Sequence, residues 1–417
     1  MESLRFLSAD EVRTIARDHG TPIYVYDEAT LRQRAAEVLA FPHAFGLTAR
    51  YAMKALPTAA VVQVLTQAGL QIDASSGYEA ERAIRAGVAP EHIQITAQEI
   101  PRFLKELIDQ GVRFNACSIN QLRAYGTLFP GTEVSVRINP GLGSGHSNRT
   151  NVGGPSSSFG IWHEHLDEVK AVAAEHQLTI SGMHTHIGSG SDPDAWARCA
   201  GLSLAIVERL PDVTRLSLGG GFKVGRMTGE ISADMTSIGN RVKDDFVAFA
   251  AQHGRELHLE VEPGTFLVAN AGALVTTIMD VVDTGAEGYT FLKIDGGMTE
   301  IVRPSMYGAQ HPIVVVPQTD ERRGHGTYLI TGHCCESGDI LTPEPGNPEG
   351  LLPRDLCEAQ LGDYLVIEGA GAYCAGMASK NYNSFPECAE LLRGDNGEVR
   401  LIRKRQDLSQ IMQNEVL

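Results

Sequence analysis

From residue 45 to residue 262 apolar runs alternate with amphipathic stretches. The strand-like runs are Phe45–Lys54, Gln71–Ser76, Ile93–Ala97, Arg113–Cys117, Glu133–Ile138, Thr179–Ile187, Arg215–Gly220 and Glu256–Glu262. Helical segments lie between most of them: Thr58–Ala68, Gly77–Ala86, Pro101–Gln110, Asn120–Leu128, His165–Glu175, Ala195–Arg209 and Lys243–Gln252. Strands that are apolar on both faces belong to parallel sheets covered by helices. Eight such units predict an α/β fold built on a closed, TIM-like (β/α)8 barrel. An open doubly wound sheet is the alternative.

The pattern changes on either side of the barrel. Residues 4–20 read as a helix with Ser8 to Glu11 as a capping box, Thr21–Tyr26 as a strand and Glu28–Leu39 as a helix. After about Gly272 strands follow one another directly: Leu274–Val282, Tyr289–Asp295, Pro312–Pro317, Thr327–Gly332, Tyr364–Glu368 and Val399–Arg403. This predicts a second, mostly antiparallel β domain made of 1–29 and 271–417, with the barrel at 30–270 inserted. Two stretches break the rhythm. Asn139–Gly160 is a long loop of Gly, Ser, Asn and Pro, and loops of that length are usually functional. Pro343–Gly350 reads as a surface excursion.

Composition narrows the function. The formal charge of -16 over 417 residues argues against nucleic acid or an anionic membrane as main partner. The start has no basic stretch followed by a long apolar run, and no segment is apolar enough to span a bilayer. The seven cysteines are scattered, unlike those of a disulfide scaffold, so a cytoplasmic location is expected.

The ends of the barrel strands carry the candidate chemistry. Lys54 is either a surface lysine or an amine for a carbonyl cofactor. Asp73, His186, Gly219–Gly221 and Glu262 end other strands, and a barrel brings such ends to one mouth. His184 and His186, two apart, are expected on one strand face and suit either a metal pair or a ring stacked on a flat cofactor. The turn Gly188-Ser-Gly-Ser191 and the triplet Gly219-Gly-Gly221 could each offer backbone N–H groups to a phosphate. Glu260 and Glu262 share a strand face, where each could form a salt bridge inside the barrel or pair with a protonated pyridine nitrogen. Cys334-Cys-Glu-Ser-Gly-Asp339 could supply a proton and hold an ammonium, or its thiols could be core residues. No dinucleotide fingerprint follows the first strand.

In these residues the chain resembles the pyridoxal-phosphate decarboxylases of the alanine-racemase-like fold, fold type III. The matching stretches are Tyr51-Ala-Met-Lys-Ala55, His186-Ile-Gly-Ser-Gly190, Gly219-Gly-Gly-Phe222, Glu262-Pro-Gly264, Arg303 to Tyr307, Cys335-Glu-Ser-Gly-Asp339 and Gly371-Ala-Tyr373. The glycine-rich stretches Gly143–Ser147 and Asn151–Gly154 look like those of the diaminopimelate branch.

The resemblance implies pyridoxal 5'-phosphate as cofactor and decarboxylation of an amino acid, with meso-2,6-diaminopimelate going to L-lysine. Lys54 would carry the cofactor, His186 would lie on its ring and Glu262 would meet the pyridine nitrogen. Gly219, Gly220, Gly221, Ser189 and Tyr373 would surround the phosphate, with Asp73 and Gly264 nearby. Arg303 and Tyr307 would grip the substrate's distal carboxylate. Cys335 and Glu336 would act across a homodimer interface, Cys335 at the reacting carbon and Glu336 at the distal amine, and Tyr373 would also face the substrate.

Two positions depart from the family pattern: Thr265 stands where an arginine usually follows Glu-Pro-Gly, and Leu56 where asparagine is common. Thr265 keeps open a different diamino acid or a siderophore-type intermediate as substrate. An amino acid racemase, a noncatalytic cofactor carrier and a metal-dependent hydrolase are the remaining alternatives.

Overall fold

The computed structural model describes residues 2–141, 153–186, 190 and 192–416. The chain forms two units. One is Arg32–Val224 with Ile231–Leu267, and the other is Met1–Leu31, Gly225–Glu230 and Val268–Leu417.

The first unit is a closed barrel. Its parallel strands are Leu47–Ala52, Gln71–Ala74, Ile93–Ile95, Arg113–Ala116, Glu133–Asn139, Thr179–His184, Arg215–Ser217 and His258–Val261. Each pairs with the next, and the last pairs with the first in the register Leu259↔Leu47, Glu260↔Thr48 and Val261↔Ala49. That closure removes the open-sheet alternative. A short strand, Ile161–Trp162, lies beside Glu133–Asn139.

Several of the helices between the strands begin where a side chain accepts one of their first N–H groups. Ser76 and Ser118 cap Gly77–Arg85 and Ile119–Leu128 in this way. Asp234 caps Met235–His253, which starts eight residues before the predicted Lys243. The early turns of that helix carry Thr, Ser, Gly and Asn, which hid its period.

Charge holds part of the barrel interior. Arg50 is buried and pairs with buried Glu260 through Nη1–Oε2 at 2.7 Å and Nη2–Oε1 at 3.0 Å. Arg215 approaches the same carboxylate at 3.7 Å. For Glu260, then, the internal salt bridge is the correct reading.

The second unit is mostly antiparallel. Strand Ile23–Asp27 is central, antiparallel to Gly272–Asp283 and parallel to Ala389–Arg393. Gly272–Asp283 also pairs with Thr290–Ile294 and Tyr364–Ile367, and Ile313–Val316 joins the latter. His325–Thr331 runs parallel to Thr290–Ile294 and antiparallel to Arg354–Cys357, and Val399–Arg403 borders Ala389–Arg393. Val12, Ile15, Ile23, Val25, Ala273, Val275, Val366 and Leu391 fill one core beneath the sheet.

Several expectations need correction here. The first helix is Ala9–His19, shorter than 4–20, and Ser8 with Glu11 does form the capping box. Pro343–Gly350 is not a bare loop, because Pro343–Glu344 and Asn347–Leu351 pair as a hairpin. Strands Arg354–Cys357 and Ala389–Arg393 were absent from the sequence reading. The second reads Ala-Glu-Leu-Leu-Arg, a helical composition overridden by its place beside Ile23–Asp27.

Candidate active site

The first barrel strand stops at Ala52, so Lys54 lies beyond it on a single 3-10 turn, Met53–Ala55. Met53 and Ala55 are buried while Lys54 is exposed, so the buried neighbours anchor the turn on either side of it. Tyr51 Oη donates to the Leu56 carbonyl at 2.8 Å and pins the turn. The Ala52 N–H donates to the Pro263 carbonyl at 3.1 Å. Gly264 packs so closely that a Cβ there would lie 3.2 Å from the Ala52 carbonyl oxygen. The lysine turn and the Glu262-Pro-Gly264 turn are thus neighbours at one end of adjacent strands.

Glu262 follows the last barrel strand directly and is buried. Its Oε1 accepts from Ser217 Oγ at 2.9 Å, and its Oε2 meets His184 Nε2 at 2.8 Å. Burial alone would raise its pKa, but His184, Arg50 and His186 hold it well below the usual carboxylate range. Burial in turn keeps His184 below its ordinary value. A neutral His184 donating from Nε2 to an ionised Glu262 satisfies both. His184 Nδ1 is buried without a hydrogen-bond partner among the described residues.

His186 lies past the strand, which ends at His184, so the two histidines are not on one strand face as expected. The Gly220 N–H donates to His186 Nδ1 at 3.1 Å, which places the ring proton on Nε2. Burial, with the charges of Arg137 and Lys54, takes its pKa well below the ordinary histidine value, so the ring is neutral.

Asp73 is buried near the end of its strand with Oδ1 unpartnered among the described residues. Burial and the Glu262 charge raise its pKa to about 7, against opposing effects of Lys54 and a Thr96 hydrogen bond. Lys54 is therefore close enough for its charge to bear on Asp73, His184 and His186 alike.

The glycine triplet is required by space and backbone. Gly219 and Gly221 have φ of 70° and 104°. A Cβ on Gly219 would meet His186, and one on Gly220 would run into the Glu262 carbonyl. The triplet offers an anion fewer donors than its sequence suggests. The Gly219 N–H goes to Ser217 Oγ at 3.2 Å and that of Gly220 to His186. Only the Gly221 N–H has no partner among the described residues. The predicted Ser189 and the segment 142–152 of the long loop lie outside the described residues.

The ligand atoms of His184, His186 and Glu262 all lie within 4.8 Å of one another, close enough to suggest a metal. Several of their ligand atoms are already hydrogen-bonded. His184 Nε2 and Ser217 serve the carboxylate, and His186 Nδ1 accepts from Gly220. A buried carboxylate held ionised, a neutral imidazole and a side-chain-free turn fit a flat cationic heterocycle carrying a phosphate better than a metal ion.

The second unit holds the remaining predicted residues. Arg303 and Tyr307 open and close the short helix Arg303–Tyr307 and are half-buried. Arg303 Nε donates to His311 Nε2 at 3.4 Å. Tyr373 has φ of 56°, a left-handed conformation uncommon for a residue with a side chain. Gly371 before it crosses the backbone at Val268 and Gly272, where no Cβ fits.

Cys335 and Glu336 are exposed on a turn organised by buried Asp339. The Asp339 carboxylate accepts from the Met298 N–H at 2.7 Å and the Cys334 N–H at 3.0 Å. A cavity of ≈ 730 Å³ beside this turn is lined by His333, Cys334, Glu336 and Phe385 among others. It lies within the β unit and does not include the lysine and glutamate turns of the barrel.

Sequence reasoning missed His184, Ser217 and Arg50 as supports of Glu262. The clearest available signal was that Ser217 ends the strand beside that of Glu262 and His184 ends the strand one further along the ring.

The family model for the pyridoxal-binding domain of pyridoxal-dependent decarboxylases matches residues 31–269. Diaminopimelate decarboxylase of Escherichia coli (strain K12) is 35% identical over 99% of this chain and 97% of its own length. The enzyme of that name from Streptomyces coelicolor is 34% identical over 98% of this chain and 92% of its own. A crystal structure of a diaminopimelate decarboxylase superposes with a TM-score of 0.91 at 33% identity, covering 98% of this chain and 97% of that one.

Proposed function

The chain belongs to the pyridoxal-dependent decarboxylases, and from that premise we propose that it converts meso-2,6-diaminopimelate to L-lysine and carbon dioxide, the last step of lysine biosynthesis. The observation that carries the reading is Glu262, a buried carboxylate held ionised by Ser217, His184 and Arg50 beside the Lys54 turn. The choice of substrate is supported by similarity that runs through both units.

The cofactor is pyridoxal 5'-phosphate, which when bound supplies an electron sink for the pair left behind as carbon dioxide departs. Lys54 provides the amine that attaches it. Glu262 takes the pyridine nitrogen and keeps it protonated. His186, neutral and fixed by Gly220, packs its ring against the cofactor without adding charge. Gly219–Gly221, Ser189 and Tyr373 receive the phosphate, with the Gly221 N–H unpartnered among the described residues and able to donate. Asp73 and Gly264 complete the cofactor pocket.

Arg303 and Tyr307 hold the carboxylate that must stay, and Tyr373 also faces the substrate. Cys335 and Glu336 complete the neighbouring site in a homodimer. Cys335 returns a proton to the α-carbon, and Glu336 holds the distal ammonium. Their exposure in a single chain supports that role.

Thr265 favours one second reading, a decarboxylase for a different diamino acid, because the guanidinium usual there is missing. Carbon dioxide release from meso-diaminopimelate, ornithine and lysine, measured side by side, separates the two. The first reading expects meso-diaminopimelate to be turned over far faster than the others. Preference for ornithine or lysine would overturn it.

A further inference from the structure

Thr265 removes a cation that a substrate carboxylate would want, and the β unit holds a buried arginine with one nitrogen unpartnered among the described residues. Arg226 sits on Gly225–Glu230, the short segment that leaves the barrel sequence to join the β unit. It is only 9% exposed.

Its position is over-determined. Nε donates to the Gly369 carbonyl at 3.0 Å. The side-chain stem covers Gly369, where a Cβ would lie 3.1 Å from Arg226 Cγ. The backbone is held too. Glu230 Oε2 accepts from the Arg226 N–H at 2.7 Å and the Met227 N–H at 3.1 Å, and Asn270 Nδ2 donates to the Gly225 carbonyl at 3.1 Å.

What Nη2 lacks is an acceptor. Nη2 is buried and has no hydrogen-bond partner among the described residues. Glu230 forms no ion pair with it, its Oε2 being used by backbone N–H groups. Burial first and the charge of Arg303 second lower the Arg226 pKa to about 9. Arg303 is itself oriented, since its Nε donates to His311 Nε2 and His311 Nδ1 donates to the Glu368 carbonyl at 3.1 Å. Two fixed guanidinium groups, one buried and short of an acceptor, are costly alone and complementary to a carboxylate.

We propose that Arg226 and Arg303 together bind the substrate's distal carboxylate, with Arg226 supplying the second guanidinium that Thr265 cannot. The inference rests on the diaminopimelate reading above and makes Arg226 a specificity-determining residue.

The test compares two ligands that differ by that carboxylate, L-lysine and cadaverine. Each is titrated into holoenzyme and followed by the cofactor's absorbance. In R226Q the affinity for L-lysine is expected to fall about ten- to a hundredfold, the scale of a lost charge-assisted bond, with cadaverine changed less than about twofold. R226K, which keeps the charge but not the fork, is expected to fall between wild type and R226Q for L-lysine. Equal losses for both ligands, no loss for either, or failure of R226K to fold or hold cofactor would overturn the proposal. If the wild type releases no carbon dioxide from meso-diaminopimelate, the functional reading fails separately from this one, since the two-ligand comparison still reports on Arg226.

Discussion

Glu262 is charged where charge is expensive, and its neighbours explain how. Ser217 and His184 each give one hydrogen bond, one to each oxygen, and Arg50 lies behind them. Removing one donor leaves a buried carboxylate short of a charge-assisted bond worth roughly 1.5–3 kcal/mol. H184A is therefore expected to lower kcat/KM by about ten- to a hundredfold, together with weaker cofactor retention and unchanged circular dichroism. Wild-type kinetics in that variant would show that His184 does not support the carboxylate. The placement of Lys54, Glu262 and the glycine triplet at or just past barrel strand ends was legible in the sequence because each is an unusual residue after an apolar run. The partnership of His184 with Glu262 was not, because it spans 78 positions and reaches across the intervening strand Arg215–Ser217.

At the scale of elements, Arg50 and Glu260 tie strands Leu47–Ala52 and His258–Val261 together inside the barrel. Breaking one side strands a buried charge, at a cost of roughly 3–5 kcal/mol, whereas replacing both with apolar groups of similar size is often near neutral. R50M alone should lower the urea midpoint strongly, and R50M/E260M should recover most of the loss. A double variant as unstable as the single one would mean that the pair contributes more than mutual neutralisation. The barrel strands and most helices followed from apolar periodicity. The strands read less well were those whose sequence opposes their state. Ala389–Arg393 is built of helix formers, and Arg354–Cys357 is short and half polar. Pairing partners far away in the chain decide both.

At the scale of the whole molecule, acids buried in the β unit tie stability to pH. Burial raises the Glu300 pKa from 4.5 to about 7, with Asp339 and Asp295 adding repulsion, against hydrogen bonds from Thr299 and Gly297. The folded chain keeps this proton after the unfolded chain has lost it. The contribution is complete below pH 4.5 and is lost as pH rises to about 7. The total is about 3 kcal/mol. E300Q should show a smaller fall in Tm than wild type between pH 5 and 8, and parallel declines would count against this origin.

Assembly offers a second test at this scale. If Cys335 serves the neighbouring site, mixing inactive K54A with inactive C335A should restore about a quarter of full activity through hybrid dimers. No recovery on mixing, with hybrid dimers demonstrably formed, would place Cys335 in its own chain's site.

The central claim is that Lys54 and Glu262, neighbours through the pairing of the first and last barrel strands, flank one cofactor. Borohydride reduction of the holoenzyme followed by peptide mapping tests it most directly. The account predicts a single cofactor label on Lys54 in wild type, and its disappearance in K54A. A label on any other lysine, or an undiminished label in K54A, would contradict it.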